Sequence, residues 1–545
     1  MSAVTETPTC ARVLADVVAR TGCTHVFGLM GDGNMHLFLA LRERGVEIVE
    51  VRHESAAVAM AEGYGWSSGR TGICSVTHGP GLTHVATSLV VAARNHSPLV
   101  LIAAETPAGY QGAQTFDQES FVTSCEARYR RLAPGEHPAA ALGEAIALAE
   151  ATSGPVVLAV AADLLLSPVP AGTVASDGHH PPEPSEADEL AAARRLHELL
   201  TAAERPVMIA GRGALGCGDL VRALADELGT GLATTLPAKG LFDGHALDLG
   251  IAGGLAHPAA ERVLRSADLV VAVGASMGRS TTQSGRLFAG ARVVKLVDDP
   301  REGKMTETLR AGAKGTLTQL LALVRARNGA RAPWFVPVGR ATDCWREDLR
   351  DYAPPITPGV VDPRHAVAEI DAHIPGDAQV VVSNGHCSGF ASAFLTAPRH
   401  GRFFAAQGFG SIGQALTTAV GVALGAPGRK TVVFEGDAAF MMHAQDLDTA
   451  ARAGADLTVF VLNDQALGTE YHRLLTTSDD AEAAVVPSPD LAALAAALGA
   501  RSAVIDRPNA QAAAAAALEP GLAVVDVRTS RAVLSRHMRL PGKKQ

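Results

Sequence analysis

The chain has 545 residues, a formal net charge of −9 and 47% hydrophobic residues, with only 4% aromatic ones. A chain of this length is too long to fold around one hydrophobic core, so roughly two to four domains are expected. The negative net charge and the absence of a stripe of basic residues argue against nucleic acid as the main partner. The sequence shows neither a signal pattern nor an apolar run of about twenty residues, which predicts a cytoplasmic protein without membrane contact. The seven cysteines form no CxxC pair, which favours buried free thiols over a metal or redox site.

The first third of the chain, residues 1–168, alternates strand-like and helix-like segments. Helices are predicted at residues 10–19, 35–44 and 82–94, and strands at 25–27, 47–51, 72–76, 99–103 and 155–159. This alternation is typical of a mostly parallel sheet with helices on both faces. The turn Gly31-Asp32-Gly33 lacks the GxGxxG spacing of a nucleotide loop, so we interpret it as a turn at the sheet edge.

Two features of this first third could carry chemistry. Glu54 opens a helical run of small residues, a place where a carboxylate most often caps the helix or balances its dipole. The turn THGPGLTH, from Thr77 to His84, places two glycines and a proline between a strand and a helix, which lets the backbone approach a ligand closely. Alone, Glu54 is better interpreted as ordinary helix capping, and the turn is the more specific signal of a site.

The middle of the chain repeats the same alternation between two linkers. Residues 169–187 are rich in Pro, Ser, Gly and acidic residues and are predicted to be a linker. Residues 188–330 follow, with a helix at 190–203 and strands at 206–210 and 269–273, each strand ending in a glycine-bearing turn. This series predicts a second doubly wound sheet. The Pro-rich residues 331–361 are predicted to form the second linker.

The last third, residues 362–530 with a tail at 531–545, is organised around a strand, helix, strand unit from Thr431 to Asp464. Gly436-Asp437 follows the first strand and Asn463 ends the second. Because parallel strands joined by a crossover helix have their carboxyl ends at one edge, Asp437 and Asn463 should lie close together. Their oxygens suit Mg²⁺. A helix-capping Asp and an Asn in a turn are the alternative, and the commoner one in an arbitrary α/β protein.

Two loops precede this unit. The loop at 383–388 follows a strand predicted at 379–382, and its glycine with polar neighbours can contact an anion or form a plain surface turn. The run QGFGSIG at 407–413 surrounds Ile412 with flexible backbone. A core isoleucine between two glycine turns is the alternative interpretation.

These segments together resemble the thiamine-diphosphate-dependent enzymes of the acetolactate synthase and 2-oxo-acid decarboxylase superfamily. The matching motifs are HESAAVAMAEGYG with Glu54, HGPG at 78–81, NHSPLV at 95–100, TFDQE with Gln118, and GDA at 436–438 followed by Asn463. Their order and spacing agree over nearly the whole chain. The resemblance implies an α/β protein of three doubly wound parallel-sheet domains: pyrimidine-binding (1–168), central Rossmann-like (188–330) and diphosphate-binding (362–530).

The resemblance also implies roles for individual residues. Glu54 would promote the imino tautomer of the aminopyrimidine ring, and Ile412 would hold the cofactor in its bent shape. Mg²⁺ ligands would be Asp437, Asn463 and the main-chain carbonyl of Gln465. The predicted cofactor-binding residues are Gly385, His386, Cys387, Gly410, Ile412, Gly436, Asp437, Ala438, Ala439, Asn463, Leu467 and Gly468. Ala438 stands where the family has the last glycine of GDG, a mild departure.

Three further side chains are predicted to orient the substrate or to shuttle protons: Gln118, His78 and His84. His78 stands where acetolactate synthases more often have serine, and His84 where asparagine is usual. These departures weaken any claim that the substrate is the same. The tail at 531–545 is expected either to cover the site or to be disordered.

The implied function is a carboligase of the acetolactate synthase type, dependent on thiamine diphosphate and Mg²⁺, that decarboxylates a 2-oxo acid and transfers the acyl carbanion to an aldehyde or ketone. The alternatives are a simple aliphatic or aryl 2-oxo-acid decarboxylase, a benzaldehyde-lyase-like enzyme, a flavin-dependent oxidase and a cofactor-binding subunit without turnover. FAD in the central domain is less expected than a structural role. The family pattern implies a homodimer or homotetramer in which the two ends of one cofactor contact different subunits.

Overall fold

Three six-stranded sheets, each entirely parallel, form the framework of the protein. The structure is a computed structural model that describes residues 7–110, 112–169, 185–297, 307–326, 329–350, 357–396, 401–509, 511–536 and 538. Most of the linker predicted at 169–187, and residues 537 and 539–545 of the tail, lie outside the described residues. The predicted α/β fold of three parallel-sheet domains is confirmed.

The first sheet has the strand order β2-β1-β3-β4-β6-β5. Its strands are β1 His25–Gly28, β2 Glu47–Glu50, β3 Gly72–Val76, β4 Leu99–Glu105, β5 Arg128–Arg131 and β6 Pro155–Ala161. Its helices are α1 Cys10–Arg20, α2 Met35–Glu43, α3 Glu54–Ser68, α4 Pro80–Thr83, α5 Ala86–Arg94, α6 Gln118–Ser124 and α7 Pro138–Thr152. Every residue of β3 is buried, as expected for a central strand covered on both faces.

The second sheet has the order β12-β11-β10-β7-β8-β9, which is the strand order of dinucleotide-binding Rossmann folds. Its strands are β7 Pro206–Ala210, β8 Gly231–Thr234, β9 Asp248–Ile251, β10 Leu269–Val273, β11 Arg292–Val297 and β12 Glu307–Arg310. Its helices are α8 Glu186–Ala202, α9 Gly218–Leu228, α10 Pro258–Ser266, α11 Arg279–Thr282 and α12 Ala313–Arg325. The Rossmann-like topology of the centre is therefore present.

The third sheet has the order β14-β13-β15-β16-β18-β17, which repeats the order of the first sheet strand for strand. Its strands are β13 Gln379–Val382, β14 Phe403–Ala405, β15 Thr431–Gly436, β16 Leu457–Asn463, β17 Arg501–Ile505 and β18 Ala523–Arg528. The helices are α13 Ala341–Arg350, α14 Pro363–Asp371, α15 His386–Phe394, α16 Ala415–Gly425, α17 Asp437–His443, α18 Asp446–Arg452, α19 Gly468–Thr477, α20 Leu491–Ala497 and α21 Gln511–Ala517. The first and third domains thus share one topology.

The structure differs from the sequence predictions in several local features. The single helix predicted at 82–94 is two helices, α4 and α5, separated at His84 and Val85. The strands that were not predicted are β5, β8, β9, β11, β12, β14, β17 and β18; the sequence of β5, RYRR, has no apolar alternation. The linker predicted at 331–361 contains α13, which forms because Trp345 and Leu349, one helical turn apart, are both buried.

Two simpler predictions can be compared directly with the structure. All seven cysteines are free, and six of them are buried, which confirms the prediction of free thiols. Within the described part of the chain, no helix combines the length and the apolar character that crossing a membrane requires.

The equivalent helices of the two outer domains, α3 and α16, pack against each other through glycines. A Cβ atom at Gly63 would overlap the carbonyl oxygen of Thr418, and one at Gly421 would overlap that of Met60. The backbones of the two helices are therefore in direct contact. Since α3 begins at Glu54 and α16 follows the Ile412 loop, this contact brings the two predicted halves of the site together.

Replacing Gly63 by Ala should destabilise the protein, because the added methyl has no space between the helices. We expect a loss of roughly 1–3 kcal/mol, the usual cost of overpacking, visible as a lower melting temperature. The matched control is Gly143→Ala in α7, where a Cβ atom meets nothing within 4 Å. This control should be neutral or slightly stabilising, since alanine is the better helix former. Equal melting temperatures for the two variants would contradict the tight packing.

Candidate active site

A cavity of about 1580 Å³ opens between the first and third domains. The first domain contributes His53, Ser55, His84 and Thr87 to its wall. The third domain contributes the residues that follow β13, β15 and β16, together with the Ile412 loop and α19. The predicted cofactor-binding residues that line it are Gly385, His386, Cys387, Gly410, Ile412, Gly436, Asp437, Ala438, Ala439, Leu467 and Gly468. The sequence motifs of the last third therefore converge on one cavity.

The oxygen-rich corner of this cavity lies where β15 and β16 end. The two strands are paired in parallel, with Gly436 opposite Leu462, so Asp437 and Asn463 are adjacent as predicted. The amide nitrogen of Asn463 donates to Asp526 at 2.8 Å, and its oxygen accepts the backbone N–H of Gln465 at 3.3 Å. Gln465 has a φ of 55°, a left-handed conformation that non-glycine residues seldom adopt outside constrained sites.

The electrostatics of this corner favour a cation. Asp437 is 2% exposed, and burial raises its pKa to about 7, with a further increase from Asp464, while the hydrogen bond from Ser488 (2.6 Å) opposes the rise. A buried carboxylate beside a second one is stabilised as an anion by a positive charge. Carboxylate, amide and main-chain oxygens are the ligands that Mg²⁺ prefers. The residues present therefore fit the predicted ion.

The neighbouring part of the cavity is suited to binding an anion. Helix α15 begins there after Gly385, whose φ is 96°. A Cβ atom at Gly468 would lie 2.8 Å from Asp464 Oδ2 and 2.8 Å from His386 Nδ1, so any larger residue would displace one of these side chains. The free N–H groups of a helix N-terminus attract phosphate oxygens. This part of the cavity fits the diphosphate group of the predicted cofactor.

Glu54, the first residue of α3, is buried behind the first-domain wall of the cavity, which its neighbours His53 and Ser55 line. His53 caps the helix by accepting the N–H of Ser55. Glu54 is 8% exposed, and its Oε2 forms a 2.8 Å hydrogen bond with Nδ1 of His84, whose side chain is 50% exposed. The sequence did not predict this pairing. It gives the buried carboxylate a titratable partner that reaches the cavity.

Three imidazole rings lie in contact with one another on this side of the cavity, and His84 is the one that bonds to Glu54. The rings of His53 and His84 stack at 4.7 Å with an angle of 25°, and His443 of α17 contacts His53 edge-on at 6.1 Å. His443 is paired in turn with Asp446 at 3.3 Å. Burial lowers the pKa of His53, and the nearby His84 lowers it further. Of these three histidines only His84 had a predicted role: His53 opens the motif HESAAVAMAEGYG, whose predicted role was assigned to Glu54, and His443 belongs to no motif.

His78 and Gln118 are not among the described residues that line the cavity. Both are buried, and His78 Nδ1 and Gln118 Oε1 have no hydrogen-bond partner among the described residues. Gln118 Nε2 donates to the carbonyl of Ala104 at the end of β4, and His78 Nε2 lies 3.9 Å from Asp32. They form a separate polar group at the carboxyl edge of the first sheet. Their predicted roles toward the substrate remain predictions.

The mouth of the cavity is charged, a feature that was not predicted from the sequence. Glu470 and Arg473 line it from one face of α19. Their i, i+3 spacing on a helix after Gly468 was the available signal. The first part of the tail also reaches the cavity: Met538 lines it, and the N–H of Ser535 donates to His386 Nε2 at 2.9 Å.

Both walls of the cavity described here come from one chain, because the contact of α3 with α16 places the α3 end bearing Glu54 on the side of the Ile412 loop. The implied arrangement with walls from different subunits stays a prediction. A hydrogen bond of 3.1 Å from Ser88 Oγ to Gln414 further joins the two walls.

A buried acid beneath the oxygen-rich corner makes stability depend on pH. Glu435 is fully buried, and burial raises its pKa to about 8 from 4.5. Between these two values the folded chain keeps the proton that the unfolded chain has lost, so stability should fall as pH rises from about 4.5 to 8. Glu435→Gln should therefore raise the melting temperature at pH 8 and change it little at pH 5.

Thermal melting at both pH values tests this expectation. The total effect should be on the order of a few kcal/mol. Glu50→Gln, on an exposed side chain at the end of β2, is the matched control and should leave the melting temperature unchanged at both pH values. An equal change for Glu435→Gln at pH 5 and pH 8 would contradict the argument.

Comparison with known families agrees with this geometry. Residues 8–124 match the N-terminal TPP-binding domain of thiamine pyrophosphate enzymes, 193–322 the central domain, and 383–527 the C-terminal TPP-binding domain. The first and last matches supply the two walls of the cavity.

Several characterised or named proteins are similar along most of their length. A probable 2-ketoarginine decarboxylase of Pseudomonas aeruginosa is 30% identical, over 91% of this chain and 89% of that protein. The large subunit of acetolactate synthase isozyme 2 of Escherichia coli is 28% identical, over 88% and 87%. A sulfoacetaldehyde acetyltransferase of Castellaniella defragrans is 26% identical, over 91% and 88%. These relatives share the superfamily and differ in the reaction that their names give.

Proposed function

Because this chain belongs to the thiamine-pyrophosphate-dependent enzymes, in the acetolactate synthase and decarboxylase family, we propose that it decarboxylates a 2-oxo acid and transfers the acyl carbanion to a second carbonyl compound. The observation that supports this most is the single cavity that joins the Glu54 wall to the Asp437 corner. Its proposed cofactors are thiamine diphosphate and Mg²⁺.

In this proposal each wall of the cavity has a separate task. Asp437, Asn463 and the Gln465 carbonyl would hold Mg²⁺, and the α15 N-terminus with Gly468 would receive the diphosphate. Glu54 would bind and polarise the aminopyrimidine ring, with His84 holding or releasing the proton between them. When bound, the cofactor supplies the carbanion stabilisation. Ile412 would restrict its shape, a contribution through proximity.

Carboligation is supported by the size of the cavity, about 1580 Å³, which leaves space for a second substrate beside the cofactor. Simple decarboxylation is the second candidate, and the charged mouth favours it. Arg473 suits the carboxylate of a 2-oxo acid, and Glu470 suits a cationic side chain. A 2-oxo acid with a basic side chain also agrees with the name of the 2-ketoarginine decarboxylase relative.

Incubation with a panel of 2-oxo acids, thiamine diphosphate and Mg²⁺ tests both candidates. The panel should include pyruvate, benzoylformate and 2-oxo acids with basic side chains, each with and without aldehyde acceptors. Release of CO₂ with a carbon–carbon coupled product supports the carboligase, and pyruvate giving only acetaldehyde would exclude it. No cofactor-dependent CO₂ release from any member would overturn both candidates.

We further propose that the chain forms a homodimer or homotetramer, and that the central domain has a structural role. Light scattering during gel filtration would measure the mass, and a monomer at micromolar concentration would contradict the first proposal. A yellow protein with flavin absorbance would contradict the second and favour the oxidase alternative.

A further inference from the structure

Three side chains of the kinds that bind metal ions lie together at the first-domain wall of the cavity. Suitable donor atoms of His53, Glu54 and His84 all lie within 4.8 Å of one another. Glu54 is buried, His53 is half-buried and His84 is exposed, so the group has one side toward the protein and one toward the cavity. It is separate from the oxygen-rich corner at Asp437.

The donor chemistry of this group differs from that of the corner. Two imidazole nitrogens with one carboxylate oxygen are typical ligands of Zn²⁺ and its neighbours, whereas Mg²⁺ prefers oxygen alone. Zinc sites of this kind with three protein ligands leave the fourth position to water. The cavity beside His84 provides that open position.

The geometry requires only small side-chain movements. Ligands at about 2.0–2.2 Å from a tetrahedral ion are about 3.3 Å apart. His84 Nδ1 and Glu54 Oε2 are already 2.8 Å apart, and the half-exposed ring of His84 can turn. In the ion-free form Nδ1 of His53 accepts the N–H of Ser55, so Nε2 becomes a free ligand only when the ring proton moves to Nδ1, which then donates to Ser55 Oγ, 2.7 Å away, and gives up the cap.

We propose that His53, Glu54 and His84 bind a transition-metal ion of the Zn²⁺ class, and that this ion and thiamine diphosphate exclude each other. The ion takes the place of the hydrogen bond between Glu54 and His84, and so removes the carboxylate from the aminopyrimidine ring. The second half of the proposal rests on the proposed function, whereas metal binding does not. The site would make activity sensitive to free zinc.

Titration of the full chain with Co²⁺, without thiamine diphosphate or Mg²⁺, tests the metal site directly. One equivalent should bind with the visible absorbance of tetrahedral cobalt, and Zn²⁺ should displace it. His84→Asn and His53→Asn should each weaken binding by at least about 10-fold. His365→Asn, in α14 and outside the group, is the matched control and should bind as the wild type does. Circular dichroism checks that each variant is folded.

Unchanged Co²⁺ affinity in both His84→Asn and His53→Asn would overturn the site, as would equal losses in the His365→Asn control. The competition is measured separately, by repeating the titration with saturating thiamine diphosphate and Mg²⁺. The apparent cobalt dissociation constant should rise at least about 10-fold. If the cofactor binds and the constant does not change, mutual exclusion is wrong. If the cofactor itself fails to bind, the proposed function fails while the metal site stands.

Discussion

Replacing Glu54 by Gln should reduce turnover by about 10²–10⁴-fold, the range for loss of a positioned proton-transfer group. The amide keeps the size of the side chain and its place at the start of α3, so the protein should fold and bind cofactor with little change. What it loses is a carboxylate that can polarise the aminopyrimidine ring and exchange a proton with His84, 2.8 Å away. Steady-state kinetics on the best substrate of the panel, with calorimetric titration of thiamine diphosphate, measures both quantities.

The matched control is Glu50→Gln, four residues earlier on an exposed position of β2, which should keep wild-type turnover. A Glu54→Gln enzyme with more than about a tenth of wild-type turnover would show that the carboxylate does not act in proton transfer. Loss of turnover together with loss of cofactor binding would instead assign Glu54 a binding role only.

Replacing Asp437 by Asn should weaken Mg²⁺-dependent binding of thiamine diphosphate by at least about 100-fold. The substitution removes the one carboxylate among the three proposed ligands and leaves the shape of the corner unchanged. Calorimetric titration of the cofactor at several Mg²⁺ concentrations checks this, and turnover should fall in parallel because little holoenzyme forms. Higher Mg²⁺ should restore part of the binding by mass action.

Asp479→Asn, on an exposed residue just beyond α19, is the control and should bind cofactor as the wild type does. Equal cofactor affinity in Asp437→Asn and the wild type would show that the corner at β15 and β16 does not hold the cation. Because Asp437 is nearly inaccessible to solvent, a measurement of melting temperature is needed as well, to separate unfolding from loss of the ion.

The sequence predicted the features that depend on short segments. Parallel strands with a crossover helix must end at one edge, so the proximity of Asp437 and Asn463 followed from the pattern around Gly436 alone. Features that depend on contacts between distant segments were not predictable in this way. His443 reaches His53 only because α17 and α3 belong to domains that pack together. The i, i+3 spacing of Glu470 and Arg473 shows that they share a face of α19, but it does not show that this face meets the cavity.

The same limit applies to His78 and Gln118. Which edge of the first domain faces the third is decided by tertiary packing, so the sequence does not show whether these two side chains line this cavity, and their roles toward the substrate stay predictions. Helix α13 was missed for a related reason: its two buried apolar side chains, Trp345 and Leu349, have mostly polar neighbours in the sequence, and they are buried by joining the hydrophobic cluster of the third domain.

The contact of α3 with α16 has a genetic consequence. Glu54 and Asp437 lie in different domains, so co-expression of Glu54→Gln and Asp437→Asn chains shows which copies of the two domains work together. If the working site combines the two walls of one chain, as this contact allows, the mixture gives no more activity than either variant alone. If the walls come from different subunits, as the family pattern implies, random pairing restores about a quarter of wild-type activity, because half of the dimers contain one intact site. Intragenic complementation thus shows directly whether the outer domains serve their own chain or its neighbour.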